Sequence, residues 1–192
     1  LARMLICQAS GKNQADFLAD RDLYAPENVV MEVEANLKRL LNDEPIAYIL
    51  GQWEFYGLPF YVGEGVLIPR PDTEILVERV IDFVGDNQYT VLDIGTGSGC
   101  IPVSLAHRLP KAEVESWDIS EDALQVARRN AERNGVEVLF RQKDVLKASP
   151  EEARYDVIVS NPPYIAEKEK VDMEANVLDW EPSIALFVPD ED

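Results

Sequence analysis

An amide, two prolines and an aromatic ring occur in succession at Asn161-Pro162-Pro163-Tyr164. An amide nitrogen is a poor nucleophile because its lone pair is delocalised into the carbonyl. The Asn161 side-chain oxygen can accept one N–H of a planar NH2 group, and the Pro162 carbonyl can accept the other. Held in this way, the nitrogen presents its lone pair to a donor methyl group. The proline rings fix the second acceptor, and Tyr164 can stack on the planar group. The gain would come from orientation and electrostatics rather than from a strong base. A plainer reading covers only part of the segment: proline cannot donate to a ladder, so a pair of them ends a strand. It leaves the flanking Asn and Tyr unexplained.

A second constellation lies at Val91 to Ile101, VLDIGTGSGCI. An apolar run enters Gly95-Thr96-Gly97-Ser98-Gly99, where glycines let the backbone turn sharply and approach a ligand closely. The spacing is GxGxG. Cys100 fills the place where the dinucleotide fingerprint needs its last glycine, and no Walker lysine follows. Acids accompany the loop. Asp93 precedes it by two residues. Asp118 closes the run ending WD, where a carboxylate can accept both hydroxyls of a ribose. Asp144, in KDVL, is either an adenine-facing group or a surface acid.

These groups need a scaffold that gathers them. Pro26-Glu27 opens a helical segment through Leu41, with Val29, Val30, Val33, Leu37, Leu40 and Leu41 on one stripe. A shorter helix covers Ala15 to Leu18. Trp53 to Val62 reads as a hairpin around Gly57-Leu58-Pro59 or as a packed aromatic loop, and Gly63 and Gly65 mark a boundary. Helical spacing runs from Asp72 to Val84, stopped by Gly85. Strands follow at Thr90 to Ile94, Val114 to Ile119, Val136 to Phe140 and Tyr155 to Ser160. They alternate with helices at Ile101 to Arg108 and from a Ser120 cap to about Asn134. Such alternation implies an α/β fold with a parallel sheet and crossover helices. Ligands bind such sheets at the carboxyl ends of the strands, where every motif above falls.

The formal charge of −18 disfavours a large nucleic-acid footprint. No run of about 18 apolar residues appears, which argues against a membrane-spanning helix. Cys7 and Cys100 make no disulfide framework and fit a reducing, cytoplasmic setting. His107, the single histidine, makes no usual zinc site, so no metal is expected. The chain starts at Leu1 and stops at VPDED just past an apolar run, and both ends read as cut from a longer protein.

The glycine loop with its acids resembles the class I S-adenosylmethionine methyltransferases, and the Asn-Pro-Pro-Tyr loop resembles their amino-methyltransferase members. Three further segments narrow the likeness: PIAYILG (Pro45 to Gly51), EFYGLPF (Glu54 to Phe60) and LIPRPDTE (Leu67 to Glu74). With VLDIGTGSG, NPPY and the closing EPSIALFVPDED, they resemble the N5-glutamine methyltransferases of peptide-chain release factors, the PrmC/HemK family. The resemblance runs from about Pro45 to the end.

The resemblance implies a Rossmann-like sheet, here short of the family's seven strands. It implies a helical substrate-recognition domain at 1–52, a hairpin linker at 53–68 and a methyltransferase domain at 69–192. The cofactor would be S-adenosylmethionine, leaving as S-adenosylhomocysteine. It would rest on Gly95, Thr96, Gly97, Ser98, Gly99, Asp118, Asp144, Val145 and Asn161. Asn161, Pro162, Pro163 and Tyr164 would hold the glutamine of the Gly-Gly-Gln tip of a class 1 release factor. Arg70 would line the pocket or form a structural salt bridge. Two alternatives compete: methylation of adenine or guanine in nucleic acid, and a cofactor-binding fragment without activity.

Overall fold

The computed structural model describes residues 1–20, 24–149 and 155–190. Four helices come first: α1 (Ala2–Ser10), α2 (Gln14–Ala19), α3 (Glu27–Leu41) and α4 (Ile46–Leu50). Asn13 caps α2, its side chain accepting from the Asp16 N–H at 2.9 Å. α3 starts just after Pro26, as its sequence predicts. Its apolar stripe is only partly covered. Val29 is buried, but Val30 and Leu41 are exposed, because α3 packs along a narrow line against α1 and α4.

β1 (Gln52–Phe55) and β2 (Leu58–Tyr61) form the expected antiparallel hairpin. Its turn lies earlier than the Gly57-Leu58-Pro59 centre. Tyr56 and Gly57 take it, both with positive φ (52° and 73°), the conformation of the tight turns that match strand twist. Leu58 and Pro59 belong to β2, with Pro59 opposite Glu54. α5 (Pro71–Val84) fixes the hairpin through Glu74, whose carboxylate accepts the Tyr56 N–H at 2.8 Å. Phe55 and Phe60 meet edge to face in the core shared with Val77, Val80 and Val84.

The central sheet contains β3 (Thr90–Ile94), β4 (Glu113–Asp118), β5 (Leu139–Gln142) and β6 (Val157–Ser160). The order is β5-β4-β3-β6, and every described pairing is parallel. α6 (Cys100–Arg108) joins β3 to β4, and α7 (Glu121–Arg133) joins β4 to β5. Ser120 caps α7 through the Ala123 N–H at 3.2 Å. The third strand begins later than Val136: Val136 and Val138 are spent packing on the core after Gly135, and parallel pairing starts only at Leu139, opposite Glu115. The chain then crosses to β6 on the far side of β3, creating a switch point above β3. Beyond it lie β7 (Ile165–Ala166), α8 (Ala175–Leu178), α9 (Ser183–Leu186) and β8 (Phe187–Val188); β7 and β8 pair in parallel. Among the described residues, no helix is long and apolar enough to cross a membrane.

Gly99 shows how closely α6 and α7 approach. Its φ is +80°, and a β-carbon there would stand 2.9 Å from the Ala127 Cβ. Gly99→Ala adds a left-handed alanine, costing about 1–2 kcal/mol, to an overpacked contact costing about 1–3 kcal/mol. We expect a clear drop in the denaturation midpoint, partly restored by Ala127→Gly, which relieves the contact but not the backbone. An unchanged midpoint would contradict the close packing.

Candidate active site

Register decides what meets at the top of the sheet. Ile94 stands beside Trp117 and Ser160, and Asp118 beside Gln142. The loops leaving these strands enclose a cavity of about 280 Å³. Its walls include Gly95, Thr96, Gly97, Ser98, Asp118, Asp144, Val145, Asn161, Pro162 and Pro163. Arg70 and Thr73 close it from the N-terminal side of α5.

The glycine loop is tied down by backbone groups. Gly95 N–H donates to the Trp117 carbonyl at 2.9 Å. Gly97 N–H donates to Asp118 Oδ2 at 2.9 Å, and Ser120 N–H donates to Oδ1 at 2.9 Å. Each Asp118 oxygen keeps a lone pair for a further donor. Gly95 and Gly97 have φ of +84° and +54°, and a β-carbon on either would meet no atom within 4 Å. The loop therefore exposes bare backbone to the cavity.

Asp144 caps a short turn at Val145–Lys147, accepting the Leu146 N–H at 3.1 Å. Lys147, 2.8 Å away, holds the Asp144 carboxyl below the usual range. Arg70 answers to both of its expected roles: it pairs with the buried Glu181 and also lines the cavity. Glu181 accepts the Ile68 N–H as well, at 3.1 Å.

Two residues sit apart. Gly99 faces Ala127 and does not line the cavity; its glycine is required by helix packing. Tyr164 is 76% exposed and likewise lies outside the lining. The Thr96 and Ser98 side chains are buried, so these residues offer the cavity mainly backbone.

Sequence reading left several residues without a role. Thr73 sits inside the quoted LIPRPDTE segment; its hydroxyl accepts from Asn161 Nδ2 at 3.4 Å. Asn130 is fully buried on α7 and bonds both the hairpin and the glycine loop. Its position on an amphipathic helix carries no local signal of either partner. Glu181 lies in EPSIALFVPDED, where the motif is visible but the ion pair is not.

The cavity fits an adenosine carrying a sulfonium side chain. Asp118 has acceptor lone pairs that could meet vicinal hydroxyls, Ile119, Val145 and Leu146 line it with apolar surface against which a purine could lie, and the open glycine backbone leaves room for a chain. Among the described residues, no group of His, Cys, Asp and Glu is arranged to hold a metal ion.

Beneath the loop, Asp93 is completely buried. Ser116 Oγ donates to Asp93 Oδ2 at 2.6 Å, and Thr96 bonds Ser116 in turn. Burial pushes the Asp93 carboxyl up to about 7; the Ser116 hydrogen bond opposes this and the Asp118 charge adds to it. The folded pKa exceeds the unfolded value of about 3.9. This group's contribution to stability is therefore complete below about pH 4 and lost as pH rises through 7. We expect the stability of Asp93→Asn, relative to the parent chain, to climb between pH 5 and 7.5 in denaturant melts. A difference independent of pH would refute the assignment.

The methyltransferase small domain family matches residues 71–179, and the PrmC N-terminal domain family matches residues 1–51. A release factor glutamine methyltransferase of Bacteroides thetaiotaomicron is 49% identical, over 100% of this chain and 69% of the relative. One from Flavobacterium psychrophilum is 44% identical, over 93% of this chain and 64% of the relative. The chain spans between 60% and 69% of the length of these relatives and a third from Koribacter versatilis. Among solved structures, a T. thermophilus 16S rRNA methyltransferase in complex with AdoMet and guanosine superposes with a TM-score of 0.49 at 26% identity, over 59% of this chain and 32% of that one.

Proposed function

The chain belongs to the release factor glutamine methyltransferase family, and on that premise we propose that it moves a methyl group from S-adenosylmethionine to the side-chain amide nitrogen of the glutamine in the Gly-Gly-Gln motif of class 1 release factors. The observation that carries this reading is the meeting of Asn161 and Pro162 with Gly95, Gly97 and Asp118 around one cavity.

S-adenosylmethionine supplies, when bound, a methyl on a sulfonium that leaves as a neutral thioether. The protein's part is binding and orientation. Asp118 would take the ribose hydroxyls, the backbone of Gly95 to Ser98 would hold the methionine portion, and Asp144 and Val145 would flank the adenine. Asn161 Oδ1 and the Pro162 carbonyl each accept one N–H of the glutamine amide, turning its lone pair toward the methyl. As the carbon–nitrogen bond formed and the carbon–sulfur bond broke, these acceptors would stabilise the growing positive charge on nitrogen, whose proton would then pass to solvent. Pro163 stiffens the loop, and the exposed Tyr164 is free to cover the planar amide from outside.

In this reading residues 1–52 recognise the release factor, 53–68 form the linker and 69–192 carry the transfer site, in the cytoplasm where release factors act. The nucleic-acid alternative loses ground: the relatives are named for release factor glutamine methylation, and the charge of −18 repels phosphate.

The test is to incubate the full-length gene product with methyl-labelled cofactor and a release factor, then map the label by mass spectrometry. We expect a single methyl on the Gly-Gly-Gln glutamine. We further expect Asn161→Ala to lower turnover by about 100-fold or more with an unchanged melting temperature, as loss of an orienting acceptor requires. Label elsewhere, or full turnover in the variant, would sink the reading.

A further inference from the structure

We infer that Thr73 is a positioning residue for methyl transfer, setting which atom of the Asn161 amide faces the substrate. The inference rests on the role given above to Asn161.

An asparagine side chain ends in two atoms of similar shape and opposite chemistry. The oxygen accepts; the NH2 only donates. A substrate amide NH2 needs the acceptor. With the Asn161 amide flipped, two NH2 groups would confront one another and the nitrogen would not be held. Something must therefore fix the flip.

Thr73 is the group placed to do so. Its hydroxyl lies 3.4 Å from Asn161 Nδ2 across 88 residues of sequence. With the hydroxyl oxygen accepting from Nδ2 and its own proton turned away from the amide, Oδ1 is left for the substrate. Thr73 is itself held firmly. It is 8% exposed, in the first turn of α5 behind Pro71, and its N–H donates to the Arg70 carbonyl at 3.0 Å. Proline at the helix start fixes the backbone there. Both Thr73 and Asn161 line the same cavity. The LIPRPDTE segment thus acts on the chemistry through the Asn-Pro-Pro-Tyr loop.

Thr73→Val and Thr73→Ser in the full-length protein test this. Valine keeps the shape and removes the acceptor; serine keeps the acceptor. We expect Thr73→Val to lower kcat for glutamine methylation by about tenfold or more, as a misoriented group does, while the KM for cofactor stays within about twofold. Thr73→Ser should recover most of the rate. A structural role alone would lower stability in both variants without this split. An unchanged kcat in Thr73→Val overturns the inference.

A second measurement reads the contact whatever the substrate proves to be. In 15N-labelled protein, the Asn161 side-chain NH2 signals, identified by their loss in Asn161→Asp, should be protected from exchange in the parent and in Thr73→Ser. They should become solvent-like in Thr73→Val. Signals that do not respond to Thr73→Val would refute the positioning role. Absence of glutamine methylation in the parent, with the NMR response intact, would instead refute the functional reading.

Discussion

One buried side chain joins the parts on which the site depends. Asn130, on α7, accepts the Tyr61 N–H at 2.6 Å and donates to the Tyr61 carbonyl at 3.0 Å, capturing the end of the hairpin as another strand would. The same amide donates to the Ser98 carbonyl at 2.8 Å, inside the glycine loop. It is fully buried, so each lost partner would leave a group without water, at a cost of about 1–3 kcal/mol. The hairpin, the loop and the helix behind them are therefore placed by one set of three bonds. The loop can then do what glycines permit and offer open backbone to a ligand.

The loop's other constraint is Asp118. Its carboxylate holds Gly97 on one oxygen and the start of α7 on the other. The acid that suits a ribose thus also shapes the turn that suits the rest of the cofactor. Parallel register makes this possible, because it brings the ends of β3, β4 and β6 to one edge. The chemistry is divided over that edge. In the proposed function the β3 and β4 loops serve the methyl donor, and the loop after β6 serves the acceptor nitrogen. The Arg70–Glu181 pair ties the segment before α5 to the stretch just ahead of α9, so the side of the cavity nearest α5 is held by segments more than a hundred residues apart.

Much of this was legible in the sequence because it is written locally. The glycine loop, Asp118 and the Asn-Pro-Pro-Tyr loop announce themselves by spacing, and β3 was readable to the residue because a short β-rich run lies between the Gly85 stop and the glycine loop. The start of β5 was not legible. Val136 and Val138 are as β-prone as any strand, and only the partner's register shows that they pack on the core instead. The turn of the hairpin was misplaced for a similar reason: Pro59 looks like a turn residue, yet a two-stranded ribbon can carry it in a strand. Gly99 sits in the glycine loop, and its need for glycine comes from its φ of +80° and from Ala127, nearly thirty residues away. Asn130, Thr73 and Glu181 act through partners distant in sequence, and no local pattern reports such pairings.

In the proposed function the carboxyl edge of this sheet binds a sulfonium nucleoside, held by Asp118 and the glycine backbone. Calorimetric titration of S-adenosylhomocysteine tests it most directly. Saturable binding to one site per chain is expected, weakened by about tenfold or more in Asp118→Ala, where charge-assisted bonds to the ribose would be lost. Absence of saturable binding, or equal affinity in the variant, would contradict it.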